Sequence, residues 1–398
     1  MLVNLFIVFV LFQNIIAQFL PGFFSYWDEI GCLALIAYYF IWTKRIVSRS
    51  DFTYLMLLLM IIIVGVIGNI DFGYQNSVSA IMRDIIGCIK FPAVFLCIYR
   101  SDISFRLVKK IPAFIVYIKM YIVVVFLFGI VSFFVNTGMN QNEIRNMIHP
   151  YMFLYSHPTY LTTGIICLLC ILNATGEAKL KEDITALGSV ALAMRTKGLA
   201  FIAVYVFLKY AARWTRKLQF LYWPAIAAIA FVVAQSKLQL YASFSNSPRE
   251  SLYFGAINLM IRCFPIGSGF ASFASHISGK YYSAVYDYIH IAGLYDIHGR
   301  ISPDIGDAGI PYYLGQFGVL GVLCFSFLIY KMVNLSLDGI GKINKMNVVY
   351  LWALIGISIP TEAILVNNGF EIAFVLVLIS YLSKDASKIN RFHSSVVK

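Results

Sequence analysis

Two cations, Arg195 and Lys197, stand in ALAMRTKGLAF, a short turn between two apolar blocks. A guanidinium presents a planar fork of N–H donors that fits a phosphate group bidentately, and an ammonium beside it adds a point charge. The pair has the chemistry of a diphosphate clamp; the competing reading is that both residues end helices and reach for water. Arg249 follows Pro248 in SPRES (247–251), at the start of an apolar helical stretch where free backbone N–H groups add to its pull on an anion. With Glu250 beside it, it also reads as an ordinary surface pair. Arg262, in the same stretch, reads as orienting that helix on headgroups. Asp304 and Asp307 in SPDIGDAG (302–309) are each suited to take a proton from an attacking hydroxyl, and each also suits a turn or a helix cap. His298, near Asp296 and Arg300, is the alternative base, and His157 in YSHPTYLTTG stands where it would face the same space. Gly267 and Gly269 make PIGSG a tight loop beside them. A tyrosine-rich stretch follows (281–295), suited to stacking on sugar faces or to an interfacial aromatic belt.

The elements that must position these residues are written for lipid. Of 398 residues 60% are hydrophobic and 13% charged, more apolar surface than a water-soluble fold of this length can hide. A hydrocarbon core of about 30 Å asks for about 20 apolar residues per helix. Twelve blocks answer to that: about 2–20, 30–43, 54–69, 79–99, 113–135, 157–173, 184–194, 198–210, 219–234, 311–330, 347–366 and 371–383. The seventh and eighth read as one helical hairpin. The expected fold is therefore an all-α polytopic membrane protein of about 12 transmembrane helices. Residues 1–234 hold nine of them, 235–310 form one large extracytoplasmic loop, and 311–398 hold the last three and a basic cytoplasmic tail. With the N-terminus inside, twenty of the 31 Lys and Arg residues fall on the inner side and eight on the outer, five of those eight in the long loop. The net charge of +12 is thus a topology signal, and no nucleic-acid partner is expected. Residues 252–264, LYFGAINLMIRCF, are too short to cross; a crossing there would also put the basic tail outside. They read as an amphipathic helix lying in the interface.

Several classes are excluded. No inner segment carries a phosphate-binding loop or a dinucleotide fingerprint, so no nucleotide-hydrolysing domain is attached. The first block lacks a basic leader and a cleavage site and reads as a retained helix. Cys167 and Cys170 form a CxxC inside an apolar block, where they read as small packing residues, not as a redox pair. The DxxD of Asp304 and Asp307 lacks further ligands, so neither a metal nor any other cofactor is expected. Arg83, Asp84, Lys90, Lys119 and Glu362 lie within apolar blocks, where each costs about 2.5–3.5 kcal/mol unless it finds a partner or water. They line a headgroup cavity or couple ions in a transporter. An enzyme on the outer face has little free nucleotide to draw on and needs a pre-activated substrate, which a lipid-linked sugar diphosphate is.

The order of four segments resembles the bacterial O-antigen and capsular polysaccharide polymerases, the Wzy-type proteins of the O-antigen ligase-like superfamily. The segments are HPTYLTTG, LAMRTKGLAF, SPRES…FPIGSGFASF and DAGIPYYLGQFGVLG. The resemblance implies a GT-C-like membrane glycosyltransferase that joins polyprenyl-diphosphate-linked repeat units at the outer face of the plasma membrane, inverting and metal-independent. It maps the family's outer arginines onto Arg195 and Arg249, with Lys197 assisting. Ligase relatives carry a His-Asn pair ahead of the returning helix, and here the His position falls on Asp307, which favours polymerase over ligase. The base stays open among Asp307, Asp304 and His298, and His157, Arg262, Gly267 and Gly269 are candidates to line the substrate cavity. Membrane lipids, a chain-length regulator and a flippase are the expected partners. The alternatives are an O-antigen ligase passing the glycan to another lipid, and a lipid-glycan flippase or secondary transporter.

Overall fold

The computed structural model describes residues 2–20, 22–42, 49–142, 144, 149–211, 248–291, 303–306, 308–341 and 344–384. Among these the chain is all-helical, with two isolated backbone bridges and no strand. The helices are α1 (Leu2–Leu11), α2 (Gln13–Phe19), α3 (Trp27–Trp42), α4 (Arg49–Phe72), α5 (Val78–Arg100), α6 (Ile103–Lys110), α7 (Ile115–Phe134), α8 (Pro158–Ala174), α9 (Leu180–Leu192) and α10 (Thr196–Val206). They continue as α11 (Pro248–Arg262), α12 (His276–Lys280), α13 (Val285–Tyr288), α14 (Gly309–Leu337), α15 (Lys345–Ser358), α16 (Ile364–Asn367) and α17 (Gly369–Leu382). Three stretches are long and apolar enough to cross a membrane: α4, the continuous run Ile103–Phe134 through α6 and α7, and α14. The apolar helices α8, α15 and α17 are shorter. Eleven of the twelve apolar blocks fall on helices, 2–20 as the pair α1 and α2; the block 219–234 lies outside the described residues.

Burial sorts the helices into an inner and an outer set. α8 is buried almost all round from Pro158 to Leu172, and α17 from Gly369 to Tyr381. Cys167 and Cys170 belong to that packed interior. α4, α7 and α14 instead leave large apolar side chains uncovered, among them Ile70, Met120, Phe134 and Leu323. A helix apolar on every face, with one side against protein and the other open, is one whose open side meets lipid.

α11 packs its Leu252, Ala256, Leu259 and Cys263 into the core, one stripe of a helix, chiefly against α14. Phe254, Ile257, Ile261 and Phe264 line its uncovered face. Two apolar faces suit a helix wedged between protein and lipid better than the apolar-and-polar pair expected of an interfacial helix. Cys263 is 1% exposed.

The Gly-rich loop after α11 locks this assembly. Gly267 and Gly269 both have positive φ, as does Gly318, where α14 breaks. Ser268 N donates to Gly315 O and Gly269 N to Gln316 O, each at 2.9 Å, and Leu320 N reaches back to Pro265 O at 3.1 Å. The break in α14 thus gives its freed backbone groups to the loop, as a helix interruption inside a bundle must. On the opposite side Asn69 of α4 holds Phe270 from both ends, donating from Nδ2 to its carbonyl and accepting its N–H, both at 2.8 Å. Gly65 and Gly68 of α4 leave room for Phe270 and for the loop backbone.

Candidate functional site

α8, α10 and α14 begin close together: Arg195 before α10 meets His157 before α8, Lys197 pairs with Glu362, and Gly309 of α14 lies against the Glu362 carbonyl. α9 turns into α10 through 193–195. Met194 takes φ +50°, and Arg195 is extended just before the first turn of α10. Gly198 permits the close return, since a Cβ there would meet Val190 Cγ1 at 2.8 Å. The seventh and eighth blocks therefore form the expected hairpin, with Arg195 at its tip.

Arg195 reaches to the start of α8. Its Nη2 donates to Gln141 Oε1 at 2.9 Å and lies 2.5 Å from His157 Nε2. His157 is the residue before the first turn of α8, followed by Pro158, whose missing N–H is not needed there. Its Nδ1 lies 3.3 Å from Thr159 N. A neutral imidazole accepts at one nitrogen only, so the ring serves Arg195 or the helix N–H and not both. The shorter contact assigns the lone pair to Nε2. An anion that draws the guanidinium away would release the ring to cap α8. Gln141 is steadied by its own backbone, Gln141 N to Pro150 O at 2.8 Å, and by Tyr151 N to Leu192 O at 3.1 Å, which ties this loop to the end of α9.

Lys197 has a different environment. It is 6% exposed, and its Nζ donates to Glu362 Oε2 at 2.6 Å and to Thr163 Oγ1 at 3.0 Å. The lysine assigned to a diphosphate and the glutamate left in need of a partner form one buried ion pair. Glu362 lies in the interruption between α15 and α17. Its Oε1, the Ser358 hydroxyl and both side-chain polar atoms of Asn368 have no protein hydrogen-bond partner among the described residues. Beside it, at the start of α17, the buried Glu371 accepts from Asn14 Nδ2 at 3.3 Å.

A third polar group joins α5 to the loop. Asp84 is fully buried and accepts from Ala271 N at 2.7 Å, with Ser275, Tyr312 and Gln316 around it. Gln316 donates to Phe273 O at 2.6 Å. Gly267 and Gly269 do their close packing here, pressed against α4 and α14 rather than lining an open cavity: a Cβ on Gly267 would lie 2.4 Å from Gly318 N, and one on Gly269 2.4 Å from Asn69 N. Arg262 is on the surface, its guanidinium carbon 5.0 Å from the centre of the Tyr288 ring.

Of the remaining candidates, Asp307 and His298 lie outside the described residues, and so do the side chains of Arg249 and Asp304. The backbone of Arg249 opens α11, and that of Asp304 lies in a short 3-10 turn, Pro303–Gly306. That turn packs on α12, where Gly306 comes close to His276 N. Sequence reasoning missed Gln141, Asn69 and Asn368. Asn69 had a signal, being a lone amide at the end of an apolar block; Gln141, in a polar loop, had none. No protein-family model matches the chain, and no curated protein matches it.

Proposed function

We propose that the chain is a polytopic glycosyltransferase of the bacterial plasma membrane that joins polyprenyl-diphosphate-linked oligosaccharide units into a polysaccharide at the outer face. The reading is carried by Arg195: a half-buried guanidinium at a hairpin tip, its Nη2 held by Gln141 Oε1 and His157 Nε2 beside the N-terminus of α8. A guanidinium fork at the N-terminal end of a helix suits a phosphate group. The bundle end that carries it also carries 248–291 and the acid-bearing turn 303–306, which the proposal places outside the membrane with the N-terminus inside.

In the proposed reaction the oxygen of a terminal sugar hydroxyl bonds to the anomeric carbon of the growing chain. The bond from that carbon to the carrier diphosphate breaks, and the diphosphate leaves with the electron pair beside Arg195 and Arg249. The hydroxyl proton passes to one of Asp307, Asp304 or His298. A single displacement of this kind inverts the anomeric centre. Lys197, neutralised by Glu362, supports the hairpin from within and adds little net charge to the clamp. A chain-length regulator and a flippase are the partners such an enzyme would meet. The test is direct: purified protein with a synthetic polyprenyl-diphosphate repeat unit should give a ladder of longer products. Folded protein that gives no ladder from its native unit sinks the reading.

A second reading, a lipid-glycan flippase or secondary transporter, is favoured by the ion pairs Lys90–Asp28 and Lys197–Glu362 within the helix bundle and by the buried Glu371. Proteoliposomes distinguish the two: gradient-driven movement of the lipid-linked unit without elongation supports the transporter.

A further inference from the structure

We propose that Arg83, with Tyr26 and Tyr281, forms a second phosphoryl-binding subsite at the same end of the bundle, separate from Arg195. Arg83 lies in the second turn of α5, half-buried. Its guanidinium carbon is 5.2 Å from the centre of the Tyr26 ring and 5.8 Å from that of Tyr281. Tyr26 comes from the turn before α3 and Tyr281 from the residue after α12, so three distant segments converge on one cation. Among the described residues no carboxylate lies within 4.0 Å of it and no oxygen accepts a hydrogen bond from it. The carboxylate next in sequence, Asp84, faces the other way and is taken up by Ala271 N.

Aromatic rings satisfy the faces of a guanidinium and leave its edge, where all five N–H donors lie, for an anion in its plane. A cation left without an acid in a partly buried place is costly unless a ligand supplies the charge. The surroundings add to the field: Lys280, exposed, precedes Tyr281. The ligand class is a phosphate mono- or diester, or a diphosphate, on a lipid. Two sources share that chemistry, the carrier diphosphate of the proposed substrate and the headgroup of an anionic phospholipid. The first rests on the glycosyltransferase reading; the subsite itself does not.

The test uses the full chain in phosphatidylcholine nanodiscs, with equilibrium binding of a short-chain polyprenyl diphosphate as probe. In a second arm the nanodiscs contain phosphatidylglycerol, and lipid retained by the protein is measured by native mass spectrometry. Arg83→Gln is expected to weaken one of the two interactions by about tenfold, and Arg83→Lys, which keeps charge but loses the fork, by about threefold. Thermal unfolding of each variant checks that it is folded. Dependence confined to the diphosphate identifies the carrier; dependence confined to phosphatidylglycerol identifies a headgroup. Arg83→Gln that is folded and changes neither overturns the subsite, as does wild-type protein with affinity for neither. A ladder from the wild type beside Arg83-independent binding would leave the polymerase standing and remove the subsite; Arg83-dependent binding without any ladder would do the reverse.

Discussion

Arg195 and Lys197 are two residues apart and have opposite fates, and the difference decides what each does when changed. Arg195 is half-buried at the hairpin tip, its fork on Gln141 and His157. Arg195→Ala should lower the initial rate of ladder formation by about a hundredfold, the scale of losing one donor to developing charge. Gln141→Ala and His157→Ala, which only loosen the fork, should each lose about tenfold. Elongation at wild-type rate by folded Arg195→Ala would exclude it from the clamp. Lys197 is paired inside the protein, with side chains 5% and 9% exposed across the Glu362 bond. Lys197→Met leaves Glu362 buried and alone and should cost about 3–5 kcal/mol in unfolding free energy. The double change Lys197→Met with Glu362→Leu should recover most of that loss, because both charges go together. A double variant as unstable as the single one would show that the pair is not what holds the hairpin to the interruption between α15 and α17.

At the scale of elements, the loop after α11 is where backbone, not side chain, determines the packing. Gly267 has φ +76°, and a Cβ there would sit 2.4 Å from Gly318 N and 2.6 Å from Gln316 O, atoms of a rigid helix break. Gly138 has nearly the same φ, +72°, with nothing within 4 Å. Gly138→Ala should therefore cost only the left-handed penalty of about 1–2 kcal/mol. Gly267→Ala should cost far more, seen as loss of the folded, monodisperse protein in detergent. Equal costs at the two positions would mean that the loop does not wedge into α14. PIGSG was legible in the sequence as a tight turn because Gly and Pro signal local conformation. Its depth was not legible, because that rests on Gly65, Gly68 and Asn69, some 200 residues earlier, and on Gly315 and Gly318, some 50 residues later. The same limit applied to Lys197 and Glu362: each was visible as a charge among apolar residues, while the pairing across 165 positions was not.

The molecule as a whole is a set of apolar helices whose rank order from centre to edge the composition does not give. In water, an apolar stripe marks the inward face; a helix between protein and lipid is apolar on both, so the stripe carries no direction. α8 and α17, buried nearly all round, read in sequence like α7, whose Val116, Tyr117 and Phe134 are uncovered. Lys and Arg do carry direction, through their excess on the cytoplasmic side. The proposed topology has the end with Arg195 and His157 outside, and the end with Arg106 inside. Single cysteines at Ser156, exposed beside His157, and at Arg106, whose side chain is 64% exposed in an ion pair worth little, test this. The background is favourable: six of the seven native cysteines are buried, and Cys324, partly exposed, can be replaced by Ala. A membrane-impermeant maleimide added to intact spheroplasts should label Ser156→Cys and spare Arg106→Cys, which should react only after permeabilisation. The opposite pattern would put Arg195 on the cytoplasmic side, where nucleotide-activated donors are at hand, and the argument for a lipid-linked diphosphate as donor would lose its ground.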